Sequence, residues 1–493
     1  MDKKIVIRVD ESDNETQIAI LEDGRLVEFY IEREDAQQLV GNIYKGKVSN
    51  VLSGMQSAFV DVGIEKDVFL HIGDIDCLKN LEESGEYTEN DFKSLTIKDV
   101  LQVGQEIIVQ IMKDPLGTKG ARGTTYITLP GRYCVLLPND KHVGVSKKIP
   151  DEGQRNRLKA IGEKICPKEM GLIIRTVASN VDEAEIIADI EFLLQLWSKI
   201  VTRIHKSGPY ALIHNELSIP LKISRDLFTP DISEFIVDSE VLYNKLYEYF
   251  DYMAPREKDK LKLYSEEVPI FEKLGIERQI ERMLQPRVWL NCGGYIIIQK
   301  TEALTAIDVN TGKFTGESDL EDTVFKTNLD AAYEIARQVR LRDIGGIIII
   351  DFIDMNREDH KNKIMNVIND LFKKDRSQTT IIGITEFGLV EITRKRVSKS
   401  INEVMLQSCP YCKGSGRVSS AKLVANKARN EVKKMAKTCE CESILVSVNP
   451  EVAACLMGVD GEKLRLLEKM AGKFVYVRPE ESYHTEQIQI ILK

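Results

Sequence analysis

Two stretches in the second half of the chain decide the fold: TEALTAIDVN at residues 301–310 and IGGIIIIDFIDM at residues 344–355. The first alternates as one arm of a hairpin does, and the second begins with a glycine turn and a run of isoleucines. Residues 323–342 and 358–373 repeat apolar side chains at helical spacing, and the strand pattern TTIIGI follows at 379–384. The order predicts an α/β layer in which helices cover a sheet and the isoleucine run is a fully buried strand.

Each of the two stretches contains an aspartate at the end of its predicted strand. Asp308 follows LTAI and Asp351 follows IIII, and ligands bind at that edge of an open α/β sheet. Two like charges held together favour a cation between them, and magnesium commonly takes one or two protein carboxylates. Asn310 projects from the same face of an extended strand as Asp308. This group predicts single-magnesium chemistry on a phosphodiester with activation of water; the alternative is two aspartates that cap turns.

Length and composition exclude several classes of protein. A chain of 493 residues is too long for one hydrophobic core, and 43% hydrophobic with 29% charged residues is typical of globular proteins. No run approaches the ~20 apolar residues that cross a bilayer, and MDKKIVIRVD lacks a secretion signal. Nine scattered cysteines form no disulfide framework, so we expect a cytoplasmic protein with no membrane partner.

The net charge of −9 weighs against indiscriminate nucleic-acid binding, but it leaves room for local basic patches. Arg394, Lys395, Arg396 and Lys399 form one such cluster, and seven basic residues between 417 and 437 form another. Each is either a nucleic-acid contact or a solvated helix face.

The first half of the chain predicts a sheet followed by a small barrel. Residues 4–33 contain three alternating strand patterns, and residues 208–282 are expected to complete that sheet. Short β segments with glycines from residue 41, interrupted by an acidic insertion at 80–99, predict a five-strand barrel of OB type. Phe59 and Phe69 fall on one wall of it, where they either stack on bases or belong to the core, and spacing alone favours the core.

A mixed region follows the barrel. GLIIRT at residues 171–176 places Arg175 and Thr176 just after a buried strand, where a guanidinium fork and a hydroxyl can hold a phosphate. An amphipathic helix is predicted at 182–204.

The sequence CPYCKGSG at residues 409–416 predicts half of a zinc site. Two thiolates at this spacing hold one metal, and a structural zinc needs four ligands. Either Cys439 and Cys441 complete the site or the Cys409–Cys412 pair of a second subunit does. Because the CxC spacing is tight for chelation, we favour a zinc shared across a dimer interface. A redox role is the alternative, and no thioredoxin-like context is recognisable around the motif.

Five motifs, TAIDVNTG, TNLDAAYEIARQVRLRDIGG, IIIIDFIDM, FGLVEITRKR and CPYCKGSG, resemble the ribonuclease E/G family in content and order. The resemblance extends from residue 1 to about 420 and is most specific between 300 and 417. It implies an α+β multidomain fold. The first half would contain a ribonuclease-H-like fold at 1–36 and 214–284, into which an S1-type OB-fold RNA-binding domain at 37–125 and a 5′-phosphate sensor at 126–213 are inserted. The second half would contain a DNase-I-like catalytic domain at 285–400, a zinc link at 401–418 and a small dimerisation-type α/β domain at 419–493.

The resemblance also implies an activity. It is magnesium-dependent hydrolysis of single-stranded, A/U-rich RNA to 5′-phosphate and 3′-hydroxyl ends, stimulated by a 5′-monophosphate, in rRNA processing and mRNA decay. Asp308 and Asp351 would be the Mg²⁺ ligands, with Asn310 as their companion. Cys409 and Cys412 would hold Zn²⁺ between two subunits of a homodimer or homotetramer. The chain would be the short form of the family, without a scaffold tail.

By the same resemblance, single-stranded RNA would contact Phe59, Phe69 and Lys119. This replaces the interpretation, drawn from spacing alone, that the two aromatic residues belong to the core. The 5′-phosphate pocket would comprise Arg175, Thr176, Val135 and Lys147. The family commonly has arginine where this chain has Lys147. Lysine offers a point charge instead of a bidentate fork, which leaves the strength of monophosphate binding open.

Two other functions compete with the nuclease. A catalytically silent RNA-binding protein needs only the barrel and the basic patches. A zinc-dependent hydrolase needs three protein ligands and an open position, and no histidine lies near Cys409.

Overall fold

The computed structural model describes residues 2–33, 38–76, 96–115, 119–253, 255–312, 320–373, 375–385, 388–396 and 400–493. The chain divides into two compact units, Met1–Val404 and Met405–Lys493, which are described separately below. Within the described ranges, no helix is both long and apolar enough to cross a membrane.

The first unit opens with three antiparallel strands, β1 (Lys3–Asp10), β2 (Glu15–Glu22) and β3 (Arg25–Arg33). Gly24 has a φ of +76° in the turn between β2 and β3, a conformation that glycine adopts without strain. Both faces of these strands are buried at their centres, since the consecutive residues Ile5, Val6 and Ile7 are all fully buried, so further elements must cover the sheet on both sides.

A closed barrel follows. Its elements are β4 (Ile43–Leu52), β5 (Ser57–Asp61), β6 (Val68–His71), the short helix α1 (Ile97–Val100), β7 (Glu106–Lys113) and β8 (Arg122–Thr124). The strands run in the order β4-β5-β6-β8-β7, and β7 pairs back onto β4, so five strands close on themselves. The predicted five-strand barrel is therefore confirmed. Most of the predicted acidic insertion lies outside the described residues.

The next region forms a small sheet with two helices. It contains β9 (Leu129–Pro130), β10 (Cys134–Leu137), β11 (Val143–Val145), α2 (Glu152–Ile165), β12 (Gly171–Ile174) and α3 (Glu183–Lys206). The strand order is β11-β12-β10-β9, and both helices pack on it through buried leucines and isoleucines. The helix predicted at 182–204 is confirmed as α3, with Asp182 as its N-cap residue.

The next segment of the chain adds strands to the barrel and to the first sheet. This segment contains β13 (Ala211–His214), α4 (Ile219–Leu227), β14 (Ile232–Val237), α5 (Glu240–Met253), β15 (Leu261–Leu263), α6 (Ile270–Lys273) and α7 (Ile276–Leu284). β13 pairs with β4 of the barrel, whereas β14 pairs in parallel with β1. The resulting order β15-β14-β1-β2-β3 confirms that this segment completes the first sheet.

The last part of the first unit is a six-stranded sheet with two long helices. Its elements are β16 (Arg287–Trp289), β17 (Tyr295–Lys300), β18 (Leu304–Asn310), α8 (Leu320–Leu341), β19 (Gly346–Asp351), α9 (Glu358–Lys373), β20 (Thr379–Ile384) and β21 (Leu389–Arg394). The strand order is β16-β17-β18-β19-β21-β20, and only β18 and β19 run parallel. We call this the C-terminal sheet of the first unit.

The isoleucine strand β19 is buried on one face only. Ile348 and Ile350 are fully buried beneath α8 and α9, but Ile347 is 48% exposed. The prediction of a strand buried on both faces is therefore wrong, because both helices pack against the same face of the sheet. The other face is open, and it carries Asp308 and Asp351.

The second unit is a three-stranded sheet with three helices. The short helix α10 (Ile401–Met405) ends where this unit begins, and turns lead to α11 (Ala421–Thr438). The remaining elements are β22 (Ser443–Val448), α12 (Pro450–Met457), α13 (Glu462–Ala471), β23 (Phe474–Pro479) and β24 (Ile488–Leu492). β22 lies in the centre, parallel to β23 and antiparallel to β24, and the helices cover its apolar side.

Candidate active site

The two aspartates singled out by sequence lie side by side. Asp308 on β18 and Asp351 on β19 are direct partners in the register of these two parallel strands. Their neighbours Ile307 and Ile350 point into the core, so both carboxylates point to the open face of the C-terminal sheet. Both are exposed to solvent. Parallel pairing therefore brings two charges together at the ends of adjacent strands.

Asn310 belongs to the same group. Its Nδ2 donates a hydrogen bond to Oδ2 of Asp308 across 2.8 Å. The backbone beside it is tightly packed, because a Cβ on Gly294 would lie 2.7 Å from the carbonyl oxygen of Asn310. Gly312, at a φ of +60°, makes a similar approach to Gly293. Glycine at these positions allows two loops to close beside the carboxylates.

The donor set fits magnesium. Within the ranges that the structure covers, no three His, Cys, Asp or Glu side chains assemble into a metal-binding group. The pairing of Asp308 with Asp351 instead offers two carboxylate ligands on an open face. Magnesium accepts such a set when water and phosphate complete its octahedron. A hydrolytic zinc site requires three protein ligands, so this donor set suits that alternative poorly.

The barrel brings Phe59 and Phe69 together. They are register partners on β5 and β6, their ring centroids are 5.9 Å apart, and both rings are half-buried. The backbone amide of Phe69 donates to the carbonyl of Ala121, and the exposed Lys119 precedes Ala121 by two residues. The three residues thus share one region of the barrel surface.

The residues of the predicted phosphate pocket converge at another sheet edge. Because β11 and β12 are parallel, Lys147 and Arg175 follow strand ends that meet at the same edge. The hydroxyls of Thr176 and Ser146 share a hydrogen bond of 2.9 Å, and Lys147 is exposed. Val135 is half-buried on β10, which pairs with the other side of β12.

Arg175 has a counter-ion that sequence reasoning missed. Its Nη1 donates to Asp226 Oδ1 across 2.6 Å and to the carbonyl of Gly131 across 2.7 Å. Asp226 also accepts from Arg225, and although burial alone would raise the pKa of Asp226, the two guanidinium groups hold it below its usual range. Among the described residues, Nε and Nη2 of Arg175 have no hydrogen-bond partner. That edge is therefore open to a ligand.

The loop that carries Gly131 is itself held in place. The carboxylate of Asp189 accepts hydrogen bonds from the backbone amides of residues Arg132, Tyr133 and Cys134. A Cβ at position 131 would lie 2.6 Å from that carboxylate, so glycine is required there. The carbonyl that accepts from Arg175 is consequently in a fixed position.

The cysteine motif lies in a turn of the second unit, outside any helix or strand. The backbone amide of Gly416 donates to Sγ of Cys412 across 3.3 Å. The backbone amides of Gly416 and Gly414 lower the pKa of the Cys412 thiol, which favours the thiolate that binds metals. Cys439 and Cys441 are bonded to each other in a disulfide, so they do not complete this site.

One member of the first basic cluster does not belong to an exposed patch. Arg394 is buried and pairs with Asp375 and Asp343, each across 2.7 Å, so its placement in an exposed cluster was wrong. Lys399 lies outside the described residues. In the other patch, Lys422 and Lys427 are exposed on α11.

Comparisons with known proteins agree with this architecture. Residues 128–397 match the Ribonuclease E/G family, and residues 408–492 match "RNase E/G, Thioredoxin-like domain". Ribonuclease G of Haemophilus influenzae is 42% identical over 97% of this chain and 97% of that protein. Ribonuclease G of Escherichia coli is 41% identical over 98% of this chain and 99% of that protein. Ribonuclease E of Haemophilus influenzae is 34% identical over 99% of this chain, which covers 52% of that protein.

These matches define the class of protein as an endoribonuclease. The chain belongs to the ribonuclease E/G family, and the resemblance drawn from the five motifs is confirmed. The second unit matches a thioredoxin-like domain, so the claim that no such context surrounds Cys409 and Cys412 is wrong.

Proposed function

We propose that this chain is a magnesium-dependent endoribonuclease that cleaves single-stranded, A/U-rich RNA in the cytoplasm, in rRNA processing and mRNA decay. The observation that carries the proposal is the direct pairing of Asp308 with Asp351 on the open sheet face. Two adjacent carboxylates have no structural partner to neutralise them there among the described residues, and a divalent cation with a phosphodiester satisfies them.

The chemistry follows from the residues at this face. Asp308 and Asp351 would hold Mg²⁺, and Asn310 would keep the Asp308 carboxylate in one orientation. Magnesium, when bound, polarises the phosphodiester and makes a water molecule more acidic. The water oxygen attacks phosphorus, the bond to the 3′-oxygen breaks, and that oxygen takes a proton. The products carry a 5′-phosphate and a 3′-hydroxyl.

The remaining domains would deliver and select the substrate. We assign the barrel as an S1-type OB domain in which Phe59, Phe69 and Lys119 hold the strand, supported by their common place on its surface. The first sheet would be a ribonuclease-H-like fold, interrupted by the barrel and the sensor. The C-terminal sheet of the first unit would be the DNase-I-like catalytic domain.

A 5′-monophosphate would bind at the ends of β11 and β12 and stimulate cleavage. The open Nε–Nη2 edge of Arg175 supports this assignment, because two parallel N–H groups match a phosphate. Thr176 and Lys147 would add a hydroxyl and a charge, and Val135 would pack on the terminal base.

Zn²⁺ would be held by Cys409 and Cys412 together with the same pair of a second subunit. The lowered pKa of the Cys412 thiol supports a metal-binding thiolate, and two ligands per chain leave two to be supplied in trans. The chain would therefore be a homodimer, and a tetramer would follow if the domains at 419–493 also associate.

The proposal is tested by cleavage of a 5′-monophosphorylated, unstructured RNA with magnesium or with EDTA. We expect cleavage only with magnesium, and Asp308→Asn or Asp351→Asn should abolish it while RNA binding persists. Asp354→Asn is the matched control, because Asp354 is an exposed aspartate beyond the end of β19. Binding without any magnesium-dependent cleavage by the parent would instead identify a catalytically silent RNA-binding protein.

A further inference from the structure

An exposed aromatic pair lies on the edge of the C-terminal sheet of the first unit. Trp289 on β16 is 61% exposed, and its ring centroid is 5.4 Å from that of the half-buried Tyr295 on β17. The guanidinium of Arg287 lies over the ring of Tyr295, 4.6 Å from its centroid. We call these three residues the edge cluster.

The edge cluster and the carboxylates share one face of the sheet. Trp289 pairs with Tyr295, and Tyr295 pairs with Asn310, so these three side chains form one row across β16, β17 and β18. The next row contains Arg287, Ile297, Asp308 and Asp351. Val288, between the two outward residues of β16, packs toward the core. The cluster therefore points to the open face that bears the carboxylates.

The separation suits a single strand of RNA. Adjacent strands lie about 4.8 Å apart, so Trp289 is about 10 Å from Asn310. A stacked nucleic-acid strand advances about 3.4 Å per nucleotide. The edge cluster is thus within about three nucleotides of the carboxylates, and fewer if the strand is extended.

The edge cluster contributes little to the core. A tryptophan that is 61% exposed at a sheet edge leaves most of its apolar surface in water. Arg287 has no carboxylate within ion-pair distance among the residues that the structure describes. An exposed aromatic surface with an unneutralised cation complements the bases and phosphates of single-stranded nucleic acid.

We propose that Arg287, Trp289 and Tyr295 form a base-stacking subsite for the RNA strand beside the reacting phosphodiester. The inference rests on the proposed cleavage at Asp308 and Asp351, and it names a substrate contact separate from the barrel and from the phosphate pocket. A base stacks on Trp289 and Tyr295, and Arg287 meets a backbone phosphate. The occupant is RNA because the subsite is continuous with the carboxylates on the same face.

Tryptophan fluorescence tests binding without cleavage. The chain has two tryptophans, so Trp197→Phe leaves Trp289 as the only reporter. With EDTA present, a uridine oligomer should quench this emission saturably, in parallel with the anisotropy of a labelled RNA. An abasic ribose-phosphate oligomer of equal length should quench it far less. Unchanged emission while anisotropy reports binding would overturn the subsite.

Kinetics test whether the contact serves the reaction. Trp289→Ala should raise KM about 10-fold with little change in kcat, and Trp289→Phe should retain most of the parent KM, because stacking needs a ring. Arg287→Gln should lower the salt slope of log affinity by about 0.7, as expected for one lost phosphate contact. Tyr247→Ala is the matched control, since Tyr247 is 44% exposed on α5 beneath the ammonium of Lys258.

These outcomes separate the two proposals. If the parent does not cleave RNA, the proposed function fails, and the fluorescence result still decides the subsite. The subsite alone fails if the parent cleaves RNA but two results are negative. These are a parent-like KM in Trp289→Ala and a Trp289 emission that does not change when RNA is added. A change of sedimentation in Trp289→Ala with an unchanged KM would assign the face to a second copy of the chain and would also overturn the subsite.

Discussion

Nδ2 of Asn310 donates a hydrogen bond to Oδ2 of Asp308 across 2.8 Å, next to the point where Asp308 faces Asp351. The amide thus restrains one oxygen of the carboxylate pair. A hydrogen bond to a charged group contributes about 1.5–3 kcal/mol. Asn310→Ala should therefore lower kcat by about 10- to 100-fold and leave KM near the parent value. Steady-state cleavage with titrated magnesium measures both.

Asn369→Ala provides the comparison for that variant, because Asn369 is an amide on α9 that donates to a main-chain carbonyl across 2.8 Å. It should cleave like the parent. Parent-like kcat and magnesium dependence in Asn310→Ala would show that the hydrogen bond does not orient Asp308 for the reaction.

Asp226 should control how well the chain distinguishes 5′-ends. Together with the Gly131 carbonyl it occupies Nη1 of Arg175, which leaves the opposite edge of the guanidinium for phosphate. Asp226→Asn should reduce the ratio of cleavage rates on 5′-monophosphate and 5′-triphosphate versions of one RNA, as Arg175→Ala should. Glu216→Gln removes a carboxylate that contacts Arg225 instead, and it should keep the parent ratio. A ratio that is unchanged or larger in Asp226→Asn would refute the positioning role.

Local patterns in the sequence were sufficient for the elements around the carboxylates. Alternation and helical spacing depend on near neighbours, so the strand that ends at residue 310 and the helix at 358–373 were predicted where β18 and α9 lie. The run of isoleucines in β19 was misleading, because hydrophobicity does not reveal how many layers cover a sheet. Whether a strand is covered on one face or two depends on helices that pack from elsewhere.

Long-range partners could not be predicted in the same way. Arg175 and Asp226 are 51 residues apart, and their contact depends on where α4 places Asp226 relative to the end of β12. The edge cluster carried a detectable signal, since Arg287 and Trp289 alternate around the apolar Val288. What the sequence lacked was the register that places β16 two strands from β18. The side-chain pairing of Arg394 with Asp375 was equally hidden.

Phe59 and Phe69 allow a direct choice between an RNA contact and a core role. If they stack on bases, Phe59→Ala or Phe69→Ala should weaken binding of an unstructured RNA by about 1–3 kcal/mol each. The losses should not add, because the two rings contact each other at 5.9 Å. Anisotropy titrations measure the affinity. A core role would instead lower the melting temperature of the variants and leave their RNA affinity unchanged.

The zinc link predicts a stoichiometry of one metal per two chains. Cys409→Ala or Cys412→Ala should release the metal and weaken the dimer, because each removes one of the thiolates that a shared site needs. Cys455→Ala, a half-buried free cysteine of the same unit, should retain both metal and assembly. Metal analysis and sedimentation velocity on the same samples check this. An unaltered oligomer in metal-free Cys409→Ala would separate the zinc from the interface.

Glu28 on β3 should make the first unit sensitive to acid. It accepts from Arg340 across 2.8 Å and pairs with Arg376 across 3.3 Å, which ties the first sheet to α8 and to the segment before β20. Burial alone would raise the pKa of Glu28, but Arg376 and Arg340 hold it below its ordinary value. Glu28→Gln should cost about 2–3 kcal/mol at neutral pH, at or below the roughly 3–5 kcal/mol expected for a fully buried pair, because the side chains of both Arg340 and Arg376 are partly exposed to water.

The pH dependence of that loss has a defined sign. Because the pKa of Glu28 is depressed in the folded chain, its contribution is complete above the unfolded value of about 4.3 and disappears as the pH falls through the folded value. The difference in melting temperature between the parent and Glu28→Gln should therefore be constant from pH 6 to about pH 5 and shrink as the pH falls below about 4. Calorimetric scans across this range measure it. A difference that persists unchanged at the lowest pH would mean that the Glu28 charge does not hold these elements together.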